Sequence, residues 1–214
     1  YWRRDAGELG GCGSALQWSL LDRGRAAYFL GDNAMAIRCY DESIAIFAAS
    51  SSPRGGGFPQ LCRGYVAMAT GDLRSAERDY RLCLHTVTQG HVIWEKLAIR
   101  ALAALAELAA SQKDWAQAGR LFGTAAMQDA AGTPNAFSDG HRSIQEGAQN
   151  EPAANQPSTV LAQPSSRARF GEIFEYSRAM AAAAKYRSNP IFEAAWQEGT
   201  RMTLAEAIGA VLEP

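Results

Sequence analysis

The sequence lacks any run of apolar residues that approaches the length of about 18 needed for a membrane-spanning helix. Its amino end carries Arg3 and Arg4, but no apolar stretch follows that would complete a secretion signal. The formal net charge is only −1, so no strong field favours binding to nucleic acid or to a membrane surface. These absences predict a cytoplasmic protein that contacts neither. Because the sequence begins with Tyr1 rather than Met, we also expect it to be part of a longer polypeptide.

Cysteine and histidine are too few and too scattered to form a metal site. No two of the four cysteines have the C-x2-C spacing of a zinc site, and we expect buried free thiols rather than disulfides. The cysteines are Cys12, Cys39, Cys62 and Cys83. His85 and His91 flank a predicted loop without sharing a helix face, and His141 lies in a polar stretch. The sequence therefore predicts no metal site and no cofactor.

Signatures of common enzymes are also missing. The sequence has no G-x4-G-K-[ST] phosphate loop, no G-x-S-x-G nucleophile turn and no H-E-x-x-H zinc motif. Asp32, Asp72 and Asp114 do recur regularly, but each lies in a predicted turn, where capping of the next helix explains it. We therefore predict no catalytic residues and no enzymatic activity.

The sequence does contain one short phrase three times. Each copy has a turn residue, an aspartate, an alanine four positions after that aspartate, and an aromatic residue four positions further on. The copies start at Gly31, Gly71 and Lys113, which are 40 and 42 residues apart. A period in this range, flanked by helical apolar patterns, is typical of stacked helical repeats. We predict an all-α fold, a tetratricopeptide-like helical-hairpin solenoid with a C-terminal helical cap.

The same patterns divide the chain into four parts. Residues 1–13 are rich in glycine and predict a frayed segment, and residues 14–131 predict three tetratricopeptide-like hairpins. Residues 132–165 hold half of the eight prolines and little apolar periodicity, which indicates a flexible linker or insertion. Residues 166–214 predict capping helices. Within the repeats, Ser14 is the expected first N-cap, residues 50–57 an expected loop, and His91 the expected start of the fifth helix.

Small and large residues alternate at matching positions of the repeats. Gly24, Gly64 and Ala106 each precede a turn by seven residues, where the two helices of a hairpin approach closely. The aromatic residues of the phrase lie one turn after its alanine, and we expect them to fill the gap between repeats. These aromatic residues are Tyr40, Tyr80 and Phe122.

Two segments resemble a known family. Residues 192–207, which begin Phe-Glu-Ala-Ala-Trp-Gln-Glu-Gly, resemble the closing signature of bacterial LuxR/MalT-like transcriptional regulators and predicted ATPases. Residues 118–125 resemble the segment that ends the last tetratricopeptide repeat of those proteins. The resemblance spans about residues 14–131 and 166–212, and it implies a partner module that binds nucleotide upstream in the same polypeptide. The pair Asn189-Pro190 stands where the family usually has Gly-Glu or a similar pair, and the family's phosphate loop and DNA-recognition helix are absent.

The first helices of tetratricopeptide arrays line a concave groove, and the repeat register assigns residues to it. The predicted groove residues are Arg25, Tyr28, Phe29, Tyr65, Met68, Glu107 and Ser111. Such a stripe suits a peptide helix or a small effector, although Tyr28, Phe29 and Met68 equally suit packing between repeats.

These features predict a helical-repeat sensor or protein-interaction module of a bacterial signalling or transcription regulator. Its partner would be a peptide, a protein domain such as the upstream nucleotide-binding module, or a small effector. The alternative is a ligand-free scaffold or oligomerisation module. The oligomeric state stays open.

Overall fold

The computed structural model describes residues 9–50, 53–89, 94–131 and 168–213. Within these ranges the chain forms nine α-helices and one short 3-10 turn, without a β-strand. The helices are α1 (Leu9–Phe29), α2 (Asn33–Ala48), α3 (Gly57–Ala69), α4 (Leu73–Thr88), α5 (Glu95–Ser111), α6 (Trp115–Ala130), α7 (Ala168–Tyr186), α8 (Pro190–Gly199) and α9 (Leu204–Leu212). The all-α prediction is therefore confirmed. The predicted linker at 132–165 and residues 1–8 lie outside the described residues.

The first six helices pack as three consecutive hairpins. Each odd-numbered helix packs on the next helix along the chain, and α2 also contacts α3 while α4 contacts α5. The short turns inside the hairpins make their two helices antiparallel. Helix α5 is the most enclosed of the six, and most of its alanine and leucine side chains are buried. A helix that is apolar on nearly all sides belongs in the interior, and α5 accordingly contacts α4, α6, α7 and α9.

An aspartate caps the second helix of every hairpin, as the sequence predicts. Its carboxylate oxygen accepts a hydrogen bond from the backbone N–H three residues later, at 2.9, 3.1 and 3.0 Å in chain order. The three caps are Asp32, Asp72 and Asp114. Each satisfies a backbone donor that would otherwise have no partner within its helix.

The turn before each cap needs a residue with positive φ. Gly31 and Gly71 adopt φ values of +82° and +81°, which cost glycine nothing because it has no Cβ. The third hairpin places Lys113 there at φ 64°. A lysine in this left-handed conformation carries a steric cost that the two glycines avoid.

The aromatic residue of each phrase packs inside its own hairpin in the first two repeats. A Cβ added to Gly24 would lie 2.5 Å from the Tyr40 ring, and one added to Gly64 would collide with the Tyr80 ring. The rings thus lie across the small residue of the first helix. The Tyr40 ring also belongs to a buried cluster that includes Cys62 and Val66 of the next hairpin. Packing within the hairpin therefore accompanies the predicted packing between repeats.

Two predicted helix starts and one predicted loop differ from the structure. Helix α1 begins at Leu9 rather than at Ser14, because glycines lower helix stability without stopping a helix. The predicted loop at 50–57 contains the 3-10 turn Pro53–Gly56, and a Cβ on Gly55 would collide with the buried Phe47 ring. Helix α5 begins at Glu95 rather than near His91, which lies outside the described residues.

Helices α6 and α8 cross at very short range. Any Cβ on Gly119 or Gly123 of α6 would collide with backbone carbonyl oxygens of α8, and one on Gly199 would collide with the carbonyl of Arg120. The hydroxyl of Thr124 donates a hydrogen bond to the Gly199 carbonyl at 2.9 Å. Small residues one turn apart allow this approach. The two segments that carry the family resemblance are therefore in direct contact.

Candidate helix-binding groove

Helix α7 packs against the first helices of two hairpins, α1 and α5. It contacts α5 most extensively, and it also reaches α6 and α1. Its buried residues recur on one face, with Glu175 at 6%, Ala179 at 2% and Ala183 at 0% exposure. We define the groove here as the face of α1 and α5 that contacts α7, which includes Tyr28 and Glu107 of the predicted set.

An ion pair joins α7 to the α5 side of this groove. The Arg178 guanidinium donates to both carboxylate oxygens of Glu107 on α5, at 2.7 and 3.0 Å. Only 12% of the Glu107 side chain is exposed. Burial raises the pKa of the Glu107 carboxyl, and the charge of Arg178 opposes that rise. The forked geometry of a guanidinium suits this two-oxygen contact better than an ammonium group does.

A buried carboxylate of α7 lies at the α1 end of the groove. The Tyr28 hydroxyl donates to Glu175 Oε1 at 3.2 Å, and Arg178 Nε donates to Glu175 Oε2 at 2.9 Å. Burial first, and then the charge of Glu175, raises the pKa of Tyr28 to about 12. The phenol is therefore protonated at neutral pH and serves as a donor to the carboxylate.

A small cavity lies next to the Glu175 side chain. Its walls come from all three of α1, α2 and α3, besides α7. The lining residues are Arg25, Tyr28, Phe29, Tyr40, Cys62, Tyr65 and Glu175. Arg25 also forms an ion pair with Asp22 at 3.3 Å and is largely buried. Arg25 and three tyrosines thus line the same cavity as Glu175.

A further polar contact lies where α7 passes α6. The pKa of Tyr176 is raised, first by burial and then by the charge of Asp129 and a hydrogen bond to it. Asp129 also pairs with Lys96 Nζ of α5 at 3.0 Å. Polar and charged groups therefore hold α7 at several points along its length.

The seven predicted groove residues take different positions. Tyr28 and Glu107 bond directly to α7, and Arg25 lines the same cavity as Glu175. Tyr65 is buried beside the Tyr80 ring, with ring centroids 5.8 Å apart, and Met68 packs against the core. Phe29 is 55% exposed and lies against Tyr28, and the Ser111 hydroxyl donates to the carbonyl of Leu108 at 2.6 Å.

The sequence pattern missed the residues of α7 itself. Glu175 and Arg178 fall within the region predicted to form capping helices. One signal was available, because Glu175, Arg178, Ala179 and Ala183 all lie on one helical face. Because Glu175 and Arg178 interrupt the alanines on this face, its apolar stripe is weak. Helical periodicity alone therefore does not indicate a docked helix.

The predictions on cysteines, metal sites and membrane spans can be compared with the residues that the structure describes. Cys39, Cys62 and Cys83 are buried and free, as predicted. In the same part of the chain, no cluster of three or more His, Cys, Asp or Glu side chains has a geometry that could hold a metal ion. None of the described helices combines the length and the apolar character that crossing a bilayer requires.

Comparison with known proteins identifies no relative: no protein-family model, no curated protein and no solved structure matches this chain. The resemblance of residues 118–125 and 192–207 to bacterial regulators therefore stays a prediction.

Proposed function

We propose that this chain is a tetratricopeptide-like solenoid that serves as a protein-interaction module of a bacterial regulator. Three features support the solenoid: the repeated phrase, the aspartate caps at equivalent turns, and the glycine–tyrosine crossings of the first two hairpins. The resemblance described above supports the regulator. In such a module the concave groove receives a helix from a partner protein or from another domain of the same cytoplasmic polypeptide.

The observation that carries the proposal is the position of α7. A helix lies in the groove, and Tyr28 and Glu107 bond to its side chains. Recognition of a helix in a groove rests on side chains spaced three or four residues apart, and Glu175, Arg178, Ala179 and Ala183 have that spacing. The groove is therefore fitted to a helical ligand rather than to an extended peptide.

The alternative is a ligand-free scaffold in which α7 is a permanent part of the core. The complete burial of Ala183 favours this second function. The two functions differ in the stability of α7 relative to the hairpins. An exchangeable helix undocks without unfolding its neighbours, whereas a permanent core helix unfolds together with them.

Native-state hydrogen exchange of the full chain distinguishes these functions. We expect the backbone amides of Arg178–Ala183 to exchange well before those of the α5 core, and to do so at denaturant concentrations where α3–α6 remain folded. Equal protection of α7 and α5 across the denaturant series would support the scaffold and contradict the interaction module.

A further inference from the structure

The groove contacts define the chemistry of the helix that it accepts, an inference that rests on the proposed function. We infer that the groove binds an alanine-faced helix with the pattern Glu-x-x-Arg-Ala-x-x-x-Ala, and that α7 is a tethered competitor for partner helices of this kind. In α7 the pattern runs from Glu175 to Ala183.

The glutamate of the pattern enters a prepared carboxylate site. Glu175 is 6% exposed, and a buried carboxylate is costly unless donors or positive charges surround it. The Tyr28 hydroxyl supplies a donor from the groove, and Arg25 supplies a positive charge in the cavity wall. Both belong to α1, so the site belongs to the hairpins and not to α7.

The arginine of the pattern connects two carboxylates. Arg178 donates two hydrogen bonds to Glu107 of the groove and one to Glu175 of its own helix. The second contact orients the guanidinium for the first, because residues three apart face each other on a helix. A lysine at this position would keep the charge but lose the forked contact.

The alanines of the pattern set the distance between α7 and the helices that it packs on. Ala179 and Ala183 are both buried, and they lie one turn apart on the buried face of α7. A longer side chain at either position would force the helix away from the groove, and both ion contacts would then lengthen. A partner helix therefore needs small residues one and five positions after its arginine.

The tether explains why a partner must compete. Because α7 belongs to the same chain, it has a high effective concentration at the groove. A partner helix of equal intrinsic affinity therefore binds the intact chain only weakly. It binds well once α7 has been displaced.

A synthetic peptide of residues 168–186 with a fluorescent label is the probe. The host is the full chain with Ala179→Arg and Ala183→Arg, which disrupt the docked face of α7 and leave the groove unchanged. The matched control host carries Ala181→Arg and Ala184→Arg, because both of these alanines are exposed on the same helix. Fluorescence anisotropy measures binding, and we expect the peptide to bind the first host at least about tenfold more tightly than the control host.

Peptide variants then test the pattern. We expect Glu175→Gln and Arg178→Lys each to weaken binding to the opened host about tenfold. An Arg178→Glu peptide should not bind that host, and adding Glu107→Arg to the host should restore its binding. If the opened host does not fold, titration of the wild-type chain at higher peptide concentration gives the same ranking.

The outcomes separate the two proposals. Binding that follows the charge changes and the rescue supports the pattern. If the peptide binds equally well with and without the charge changes, the pattern is wrong, but the groove remains a helix-binding surface. If no peptide binds an opened host whose helical content is intact, both the pattern and the proposed function are wrong.

Discussion

Arg63 of α3 and Asp79 of α4 form a two-bond ion pair inside the second hairpin. Nε and one terminal nitrogen of Arg63 donate to the two carboxylate oxygens of Asp79 at 2.7 and 2.8 Å, and the Asp79 side chain is 1% exposed. Hydrogen bonding to Asp79 raises the pKa of Arg63. The equivalent positions of the third hairpin hold Leu105 and Leu121, which are both buried. The same site in the repeat therefore accepts either an ion pair or two leucines.

This equivalence predicts how the second hairpin responds to substitution. Arg63→Leu alone leaves a buried carboxylate without its main partner, and we expect the free energy of unfolding to fall by about 3–5 kcal/mol. The double change Arg63→Leu with Asp79→Leu recreates the arrangement of the third hairpin. We expect it to restore stability to about the wild-type value, or to exceed it. Urea unfolding measures both variants, and a double variant no more stable than Arg63→Leu would contradict the prediction.

The turn of the third hairpin predicts a stabilising substitution. Lys113 has φ 64°, where the other two hairpins have glycine. Lys113→Gly removes the steric cost but adds backbone freedom to the unfolded chain, so we expect a net gain of up to about 1 kcal/mol. The reverse change, Gly71→Ala, should cost about 1–2 kcal/mol. If Lys113→Gly lowers the unfolding free energy while Gly71→Ala has no effect, positive φ does not limit the stability of these turns.

The hairpins could be predicted from the sequence because their determinants are local. Asp72 and Ser75, which form a cap contact, lie within a single turn, and Gly64 and Tyr80 are fixed by the same short repeat. The position of α7 could not be predicted in this way. The Tyr28–Glu175 contact joins residues 147 positions apart, and no local pattern encodes such a pairing. Repeat register predicts that Tyr28 and Glu107 share one face of the hairpins, but it carries no information about the helix that covers them.

The junction of α7 and α8 predicts a defined pH dependence. Nε and one terminal nitrogen of Arg187 each donate to a carboxylate oxygen of Glu193 at 2.6 Å, and Gln197 donates at 2.9 Å. These hydrogen bonds lower the pKa of Glu193 to about 2. A carboxyl with a depressed pKa in the folded state stabilises above its unfolded pKa and loses that contribution as the pH falls through its folded pKa.

We therefore expect the Glu193 contribution to decline between about pH 5 and pH 2. Carboxyl carbon NMR should give a titration midpoint for Glu193 far below that of an exposed glutamate. The matched variant Glu193→Gln should unfold with a weaker dependence on pH across this window. An ordinary midpoint near that of a free glutamate would show that the ion pair is not formed in solution.

Two glycines near the carboxyl end predict opposite responses to alanine. At Gly199 a Cβ would collide with the Arg120 backbone, which cannot move away without separating α6 from α8. We expect Gly199→Ala to lower the unfolding free energy by about 1–3 kcal/mol. At Gly209, inside α9, a Cβ would meet no atom within 4 Å among the described residues.

Gly209→Ala is thus the matched control, and it should raise the unfolding free energy by about 0.5–1 kcal/mol, because alanine loses less backbone freedom than glycine when a helix forms. Thermal or urea unfolding of the two single variants decides the matter. If both variants lost stability, the added methyl group at position 209 would disturb a contact of α9, and this loss would exceed the gain in helix propensity. If neither variant changed the unfolding free energy, the close crossing of α6 and α8 would not exist in solution. The two segments that resemble bacterial regulators would then not pack directly on each other.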